Sequence, residues 1–402
     1  MADRKPGLYA GADFDNITKC VHCGLCLDAC PTYRALGTEQ DSPRGRLFLM
    51  RGLWSGELEI SADIQQPLDR CLDCRACESA CPSMVPYGEL LEKTRAAVFS
   101  GGHEKPGRAS LIRWVMVTLM GRPAGVAAMG LFMRLLGATG LDRLAPQSLP
   151  RFSPSFKKTH RPAPGSGDPV RLFTGCITDI AETEIHTASV RVLERLDFNV
   201  QIPADQVCCG ALAIHGGDHR ESRRLADLNE AVFARGEGPV ISNSAGCGAH
   251  LKEFYGATGK QTQDILEFLD RHRDRLEKAG WREDPVTVLY DAPCHLLHNQ
   301  KVDDSVHRVL QALPGVTLVP IPDYRYCCGA AGIYNLTQPE TSGKVLQAKT
   351  DAIAAGFREQ QQATTLLSGN LGCLMQIRTG MKQAGIRGEA IHPVVFMASR
   401  LA

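Results

Sequence analysis

The chain has 402 residues, 44% of them hydrophobic, which fits a globular protein of two or three domains and excludes a disordered or fibrous one. Its 45 basic residues nearly balance its 44 acidic residues, and no run of five like charges occurs, which excludes a nucleic-acid-binding or polyanion-binding surface. The first residues lack the continuous apolar segment of a secretory signal, so we expect a cytoplasmic protein whose partners are proteins and small molecules.

The 16 cysteines are the most informative feature of the composition. In a reducing compartment, clustered cysteines indicate metal ligation more often than disulfides. They divide into two sets of equal size, one within residues 20–81 and the other within 176–373, and each set repeats internally. We therefore expect two kinds of metal-binding unit, each present twice.

The first set consists of the runs CVHCGLCLDACP, from Cys20, and CLDCRACESACP, from Cys71. Both read C-x-x-C-x-x-C-x-x-x-C-P, the iron–sulfur run in which the fourth cysteine ligates the other cluster. Structural zinc is the alternative, but it would leave thiols in each run without a purpose. The predicted ligands are Cys20, Cys23, Cys26 and Cys81 for the first [4Fe–4S] cluster, and Cys71, Cys74, Cys77 and Cys30 for the second.

We expect these runs to lie in a helical ferredoxin domain over residues 1–105 that relays electrons. Between them, SPRGRLFLMRGLW predicts a helix, because Ser42 is a good N-cap and Pro43 suits the first turn. Arg44, Arg46 and Arg51 on that helix either meet a partner, offset the charge of the clusters, or face solvent.

Residues 106–168 are predicted to form a helical bridge followed by a proline-rich linker. The apolar stretches 114–120 and 123–133 are too short to span a bilayer. They favour core packing or contact with a partner, and membrane contact is at most peripheral.

The remainder predicts a duplicated α/β unit with mainly parallel sheets, a first module over 169–280 and a second over 281–402. The short apolar runs VRLF, PVIS, VTVLY and TTLLS are predicted strands, and helical stretches at 182–197 and 305–313 separate them. A cysteine follows each run, and ligands bind open sheets of this kind beyond the carboxyl ends of the strands.

The second set of cysteines centres on VCCGA (207–211) and YCCGAAG (326–332). Adjacent side chains of a strand point to opposite faces, so both thiols reach one site only if the backbone turns, which Gly210 and Gly329 permit. The candidate ligands are Cys176, Cys208, Cys209 and Cys247 in the first module, and Cys294, Cys327, Cys328 and Cys373 in the second.

Several chemistries remain open for these modules. An iron–sulfur cluster, zinc, a dithiol–disulfide redox pair and buried packing cysteines all fit the pattern. His215, His295 and His298 lie near these cysteines and act either as ligands or proton carriers, or as structural groups. No G-x-G-x-x-G or Walker A run occurs, so we expect no flavin or nucleotide site on this chain.

The run CVHCGLCLDACPTYRALGTEQDSPRGR, followed by two Cys-Cys-Gly modules, resembles the iron–sulfur subunit family of bacterial glycolate oxidase over nearly the whole chain. The modules are also similar to those of heterodisulfide reductase, lactate-utilisation proteins and the third subunit of anaerobic glycerol-3-phosphate dehydrogenase. In heterodisulfide reductase a further cysteine follows the last one by three residues; His250 and Gln376 stand at those places here.

The resemblance implies an electron-transfer subunit of an oxidoreductase complex. A partner flavoprotein would oxidise glycolate to glyoxylate, and this chain would pass the electrons singly towards a membrane quinone pool. The same relay in a lactate or glycerol-3-phosphate dehydrogenase complex is one alternative. A thiol–disulfide reductase of the heterodisulfide type is the other.

Overall fold

The computed structural model describes residues 12–101, 107–140, 152–160 and 167–402. The helices of the first range are α1 (Ala12–Thr18), α2 (Pro31–Leu36), α3 (Pro43–Ser55), α4 (Ala62–Asp69), α5 (Ala76–Ser79) and α6 (Tyr87–Ser100), with a 3-10 turn at Glu39–Asp41. Ser42 caps α3 as predicted, its hydroxyl accepting a 2.9 Å hydrogen bond from the Gly45 amide. A small core that includes Met50, Leu53, Leu90 and Leu91 holds these helices together.

Two apolar helices follow, α7 (Arg108–Met120) and α8 (Pro123–Thr139), and the short α9 (Phe156–Thr159) precedes the sheets. In the described ranges no single helix is long and apolar enough to cross a membrane, although α7 and α8, which meet at a 108° bend, qualify together by length and composition. Much of the predicted proline-rich linker lies outside the described residues.

The first sheet contains β1 (Asp168–Phe173), β2 (Phe198–Gln201), β3 (Val240–Ser242) and β4 (Thr262–Asp264). Its order is β2-β1-β3-β4, and all pairings are parallel. Its helices are α10 (Thr178–Ala181), α11 (Thr183–Arg195), α12 (Ala211–His215), α13 (His219–Phe233), α14 (Ala245–Phe254), α15 (Ala257–Gln261), α16 (Ile265–Arg271) and α17 (Arg273–Lys278).

The second sheet repeats this arrangement with β5 (Val286–Tyr290), β6 (Val316–Pro320), β7 (Thr365–Leu367) and β8 (Glu389–Ile391). Its order, β6-β5-β7-β8, is again wholly parallel, which confirms the predicted duplication of an α/β unit. Its helices are α18 (Asp303–Gln311), α19 (Tyr334–Thr337), α20 (Pro339–Glu359), α21 (Leu371–Gln383) and α22 (Pro393–Ser399), with a π-helical segment at His295–Gln300.

The two sheets share one continuous hydrophobic core. Leu172 and Ile241 of the first sheet and Leu289 and Leu366 of the second belong to the same buried cluster. Helix α11, which follows the first strand of its sheet, packs on α22 of the other half, and α18, its counterpart, packs on α16. Each half therefore packs one of its helices against a helix of the other half. The two halves are related by a pseudo-twofold arrangement and share one core.

Candidate metal centres

The backbone takes the same unusual conformation at equivalent positions of the two cysteine runs. His22 and Gly24 have φ values of 55° and 83°, and the corresponding residues Asp73 and Arg75 have 50° and 60°. Residues other than glycine pay a steric cost in this left-handed region. Because the same left-handed conformations occur in both runs, the two loops have the same shape, which directs three thiols of each run towards one point.

The first set of thiols surrounds two small cavities. The first cavity is lined by Cys20, Cys23, Cys26, Cys77 and Cys81. The second is lined by Cys30, Cys71, Cys74 and Cys77. The last cysteine of each run, Cys30 or Cys81, therefore lies with the leading cysteines of the other run, and Cys77 borders both cavities.

Buried polar groups lie beside these thiols. The Arg46 side chain is completely buried; its Nη1 is 3.9 Å from Cys30 Sγ, and its Nη2 pairs with Asp41 at 3.2 Å. The Tyr87 hydroxyl donates to Cys71 Sγ at 3.5 Å. A buried guanidinium and a hydroxyl directed at sulfur stabilise negative charge there, which is what a pair of thiolate-ligated clusters needs.

The other arginines of the same helix lie differently. Arg44 is partly exposed and pairs with Glu39 at 2.7 Å. The guanidinium of Arg51 lies over the ring of Phe48, 5.3 Å from its centroid. Of the interpretations left open by the sequence, charge compensation therefore fits Arg46, whereas Arg44 and Arg51 interact with neighbouring surface side chains.

Each Cys-Cys-Gly turn brings four thiols into a chain of contacts. Cys176 Sγ lies 3.5 Å from Cys208 Sγ, and the chain continues through Cys209 to Cys247. In the second half the same chain is formed by Cys294, Cys327, Cys328 and Cys373. Gly210 and Gly329 have φ values of 98° and 85°, so the predicted turn at these glycines is confirmed.

The chemistry of these donors fits a bound iron–sulfur cluster. Burial raises the pKa of the Cys26 thiol to about 11 and that of Cys74 well above its usual value. Hydrogen bonding with Cys208, reinforced by burial, raises the pKa values of Cys176 and Cys209 well above their usual range, and the same hydrogen bonds lower the pKa of Cys208 well below it. A group of buried thiols at contact distance does not ionise completely unless a cation binds it, and thiolates are the ligands that iron–sulfur clusters take.

A single cavity of about 460 Å³ joins the second set of thiols from both halves. Its wall contains Cys176, Cys208, Cys209, Cys247, Cys294, Cys327, Cys328 and Cys373. Met116, Met129 and Met133 of α7 and α8 close one side, and Cys71 of the ferredoxin part reaches the same wall. The cavity thus lies between the two kinds of cysteine unit.

The residues three positions after the last cysteines have a structural role. His250 Nε2 is 3.1 Å from the Ser222 hydroxyl, and Gln376 Nε2 donates to the equivalent Ser342 at 3.0 Å. Both serines lie under their Cys-Cys-Gly turn; the Ser342 hydroxyl donates to the Gly329 carbonyl at 2.9 Å. Burial lowers the pKa of His250 to about 3, so its ring is neutral.

The other histidines flagged by the sequence differ among themselves. His298 joins two parts of the chain, its Nδ1 lying 2.9 Å from Ser79 Oγ and its Nε2 3.2 Å from the Arg325 carbonyl. It is therefore a structural group. His295 and His215 both line the large cavity, and their ring centroids are 5.9 Å apart.

A buried ionic cluster lies at the junction between the ferredoxin part and the first module. It was not predicted from the sequence. Arg75 donates to Glu92 at 3.1 Å and to Glu253 of α14 at 2.7 Å, and its Nε is 3.7 Å from Asp73. His215 Nδ1 lies 3.2 Å from Asp73. Ligand atoms of Asp73, Glu92 and His215 lie within 4.8 Å of one another, a spacing that a metal ion could use, but the Arg75 guanidinium already lies against both carboxyl groups.

The fold and the cysteine geometry together define an iron–sulfur electron-transfer protein: a two-cluster ferredoxin unit joined to a pair of cysteine-rich α/β modules. Comparison with family models agrees with this class. A 4Fe-4S dicluster domain model matches residues 16–85, and a cysteine-rich domain model matches residues 170–252 and 288–378.

Individual relatives narrow the class further. The chain is 31% identical to the probable glycolate oxidase iron-sulfur subunit of Bacillus subtilis, over 94% of this chain and 93% of that protein. It is 32% identical to the glycolate oxidase iron-sulfur subunit of Escherichia coli, over 88% of each chain. Lactate utilization protein A of Macrococcus caseolyticus is 27% identical over 58% of this chain. The chain therefore belongs to the family of glycolate oxidase iron–sulfur subunits, and it serves as the electron-transfer subunit of an oxidoreductase complex.

Proposed function

We propose that the chain relays electrons from a partner flavoprotein, which oxidises glycolate to glyoxylate, towards a membrane quinone. The observation that carries this proposal is the grouping of thiols around the two small cavities, because a pair of adjoining four-thiol sites suits successive one-electron transfers. The names of the relatives from B. subtilis and E. coli supply the substrate.

The ligand assignment is part of this proposal. Cys20, Cys23, Cys26 and Cys81 would hold one [4Fe–4S] cluster, and Cys71, Cys74, Cys77 and Cys30 the other. The Cys-Cys-Gly cysteines would hold further iron–sulfur clusters in the modules at 169–280 and 281–402, with the ferredoxin domain at 1–105 and the bridge at 106–168. Clusters of this kind accept and release one electron at a time, while a flavin converts a two-electron oxidation into single steps.

Side chains of this protein would control the charge beside the clusters and the access of water to them. Arg46 and Tyr87 place positive charge and a hydrogen-bond donor beside sulfur, which favours the more negative, reduced state. The apolar wall formed by Met116, Met129 and Met133 limits the access of water to the second set of thiols. We place the complex in the cytoplasm, in peripheral contact with the membrane that contains the quinone.

A second candidate is the same relay in a lactate-oxidising complex. It is favoured by the similarity to lactate utilization protein A, which is confined to part of this chain. A glycerol-3-phosphate dehydrogenase complex would use the chain in the same way. A thiol–disulfide reductase is a further candidate, which the 3.5 Å approach of Cys176 and Cys208 favours.

Anaerobic co-purification with the partner flavoproteins tests the proposal. We expect glycolate to bleach the visible absorption of the clusters in the complex, whereas the chain alone contains iron and sulfide but no flavin and is bleached only by dithionite. Bleaching by lactate or glycerol 3-phosphate without a response to glycolate would replace the proposed substrate. Flavin bound tightly to the lone chain, or thiol-dependent disulfide turnover by it, would overturn the relay function itself.

A further inference from the structure

The helices α7 and α8 expose apolar side chains on the sides that face away from the protein. On α7, Leu111 and Trp114 are 60% and 66% exposed. On α8, Leu131, Phe132 and Leu135 are 52%, 57% and 58% exposed. These five belong to a group of only twelve large apolar side chains that are exposed in the described part of the chain. The apolar surface is therefore concentrated on this hairpin.

The exposed residues form faces rather than scattered positions. Leu111 and Trp114 are three residues apart and Leu131 and Leu135 are four apart, the spacings that place side chains on one side of a helix. The opposite sides are buried, at Met120 on α7 and at Val126 and Gly130 on α8. Since the inner sides already satisfy the packing of the hairpin, the outer sides have no role within the described fold. Patches of this kind mark interaction sites.

The charge of the hairpin indicates what would bind it. No aspartate or glutamate occurs from Gly107 to Gly140, although acidic and basic residues are balanced in the chain as a whole. The segment carries four basic residues, Arg108, Arg113, Arg122 and Arg134. Arg108 and Arg122 are exposed beside the first turns of the two helices. An apolar surface whose own helices carry only positive charge is complementary to an anionic lipid headgroup layer.

A lipid surface fits these residues better than a protein groove. Tryptophan, phenylalanine and leucine facing outward with flanking arginines are typical of helices that lie in the bilayer interface. Helices α7 and α8 have 13 and 17 residues and are separated by a 108° bend, so each is shorter than the roughly 20 residues that span a membrane. Burial of their inner sides also holds them against the protein.

We propose that the outer faces of α7 and α8 dock onto an anionic lipid bilayer and lie in its interface. The lipid site rests on the proposed function, because it is the surface through which the chain would reach a membrane quinone. The methionines on the inner sides of the same helices, Met116, Met129 and Met133, line the cavity of the Cys-Cys-Gly thiols. Docking would therefore place that cavity directly behind the membrane surface.

Vesicle binding by the full chain, purified anaerobically with its iron, tests the proposal without glycolate. We expect co-sedimentation with vesicles of phosphatidylethanolamine and phosphatidylglycerol, and much weaker binding to phosphatidylcholine alone. The double variant Trp114→Ser/Phe132→Ser should bind at least about tenfold more weakly, since it removes two aromatic side chains that would enter the bilayer interface. Each of Arg108→Glu and Arg122→Glu should weaken binding at least about fivefold.

Matched variants on α13 control for general effects. Leu228→Ser removes an apolar side chain that is 43% exposed, and Arg223→Glu reverses an exposed charge, so both should bind like the parent chain. Trp114 also gives a direct signal, because Trp54 and Trp281, the other tryptophans, are buried. Its emission should shift to shorter wavelength on binding and be quenched by brominated lipid.

The results separate this inference from the function it serves. Failure of the chain to bind anionic vesicles, or equal binding by the Trp114→Ser/Phe132→Ser variant, would overturn the lipid site whether or not glycolate reduces the complex. Loss of flavoprotein co-purification in that variant, without any vesicle binding by the parent, would show that the surface binds protein instead. Vesicle binding lost only in the α7 and α8 variants supports the proposal even if the substrate proves to be lactate.

Discussion

Cys30 and Cys81 each end one cysteine run and line the cavity of the other, so single residues tie the two runs into one unit. Around them, single side chains stabilise negative charge on sulfur. Arg46 is fully buried beside Cys30, and the Tyr87 hydroxyl donates to Cys71. At this scale the local spacing determines which thiols are near one another. The neighbouring polar groups determine how much negative charge those thiols tolerate.

Substitution of Cys30 by serine should damage the cluster whose other ligands lie in the second run. The crossed arrangement puts Cys30 with Cys71 and Cys74, so we expect a loss of about four iron atoms and of one reduced-cluster signal in paramagnetic resonance. Cys26→Ser is the matched variant and should remove the other signal. If both variants abolish the same signal, the crossed assignment is wrong.

His250→Gln should leave the iron content unchanged, because Gln376 makes the equivalent hydrogen bond to a serine in the other module. His250→Leu should lower the free energy of unfolding by about 1–3 kcal/mol, since the buried Ser222 hydroxyl loses its partner. Cys209→Ser, by contrast, should lower the iron content. Iron loss in His250→Gln comparable with that in Cys209→Ser would instead identify the imidazole as a ligand.

At the scale of elements, the contacts between α11 and α22 join the two halves of the α/β region. His186 of α11 is completely buried, and its Nδ1 lies 2.9 Å from Asn243 Nδ2. His392, immediately before α22, is buried as well, and its Nδ1 accepts a hydrogen bond from the Val394 amide at 3.2 Å. Both rings therefore need to be neutral for these helices to pack as they do.

Acidification should weaken this contact. Burial, together with the neighbouring His392, lowers the pKa of His186 to about 3, and burial lowers that of His392 to about 4. Between pH 6.5 and these values only the unfolded chain binds the protons, so stability is present above pH 6.5 and lost as the pH falls. At pH 5.5 the loss is about 1.4 kcal/mol for each histidine.

Urea unfolding of the iron-containing chain from pH 7.5 to pH 5.5 measures this loss. The variant His186→Gln/His392→Gln should show a smaller fall in the free energy of unfolding over the same range, because glutamine does not titrate. Parallel pH profiles for the variant and the parent would rule out these histidines as the cause.

At the scale of the whole molecule, the ferredoxin part and the modules meet at the Arg75 cluster. Arg75 is 7% exposed and pairs with Glu92 of its own part and with Glu253 of the first module. Glu253 in turn accepts a hydrogen bond from Asn299 of the second module at 3.2 Å. One buried guanidinium therefore links all three parts and holds the two kinds of cysteine unit next to each other.

Arg75→Met should reduce the free energy of unfolding by about 3–5 kcal/mol, since Asp73 is left buried without its guanidinium and Glu92 loses its hydrogen-bond donor. It should also make the chain more sensitive to limited proteolysis, because the ferredoxin part and the modules would no longer be held together at this point. The exposed Arg223→Met is the control and should change the free energy by less than about 0.5 kcal/mol. A change as small as that in Arg75→Met would show that the cluster does not hold the junction together.

The sequence by itself determined the features that depend on local spacing. The steps between cysteines fixed the two thiol-rich runs, short β-branched segments predicted the strands before Cys176 and Cys294, and the repeated order predicted a duplicated sheet. Each of these follows from the covalent geometry of a few neighbouring residues, so no distant contact is needed to infer it.

Only the tertiary structure decided which distant groups share an environment. Strand order and the packing of α11 on α22 bring the Cys-Cys-Gly thiols of both halves to one cavity. The burial of Arg46, the structural role of His250 and the ionic cluster around Arg75 likewise depend on residues far apart in the chain. Burial and charge pairing are sums over neighbours supplied by the whole fold, and spacing along the chain does not specify those neighbours.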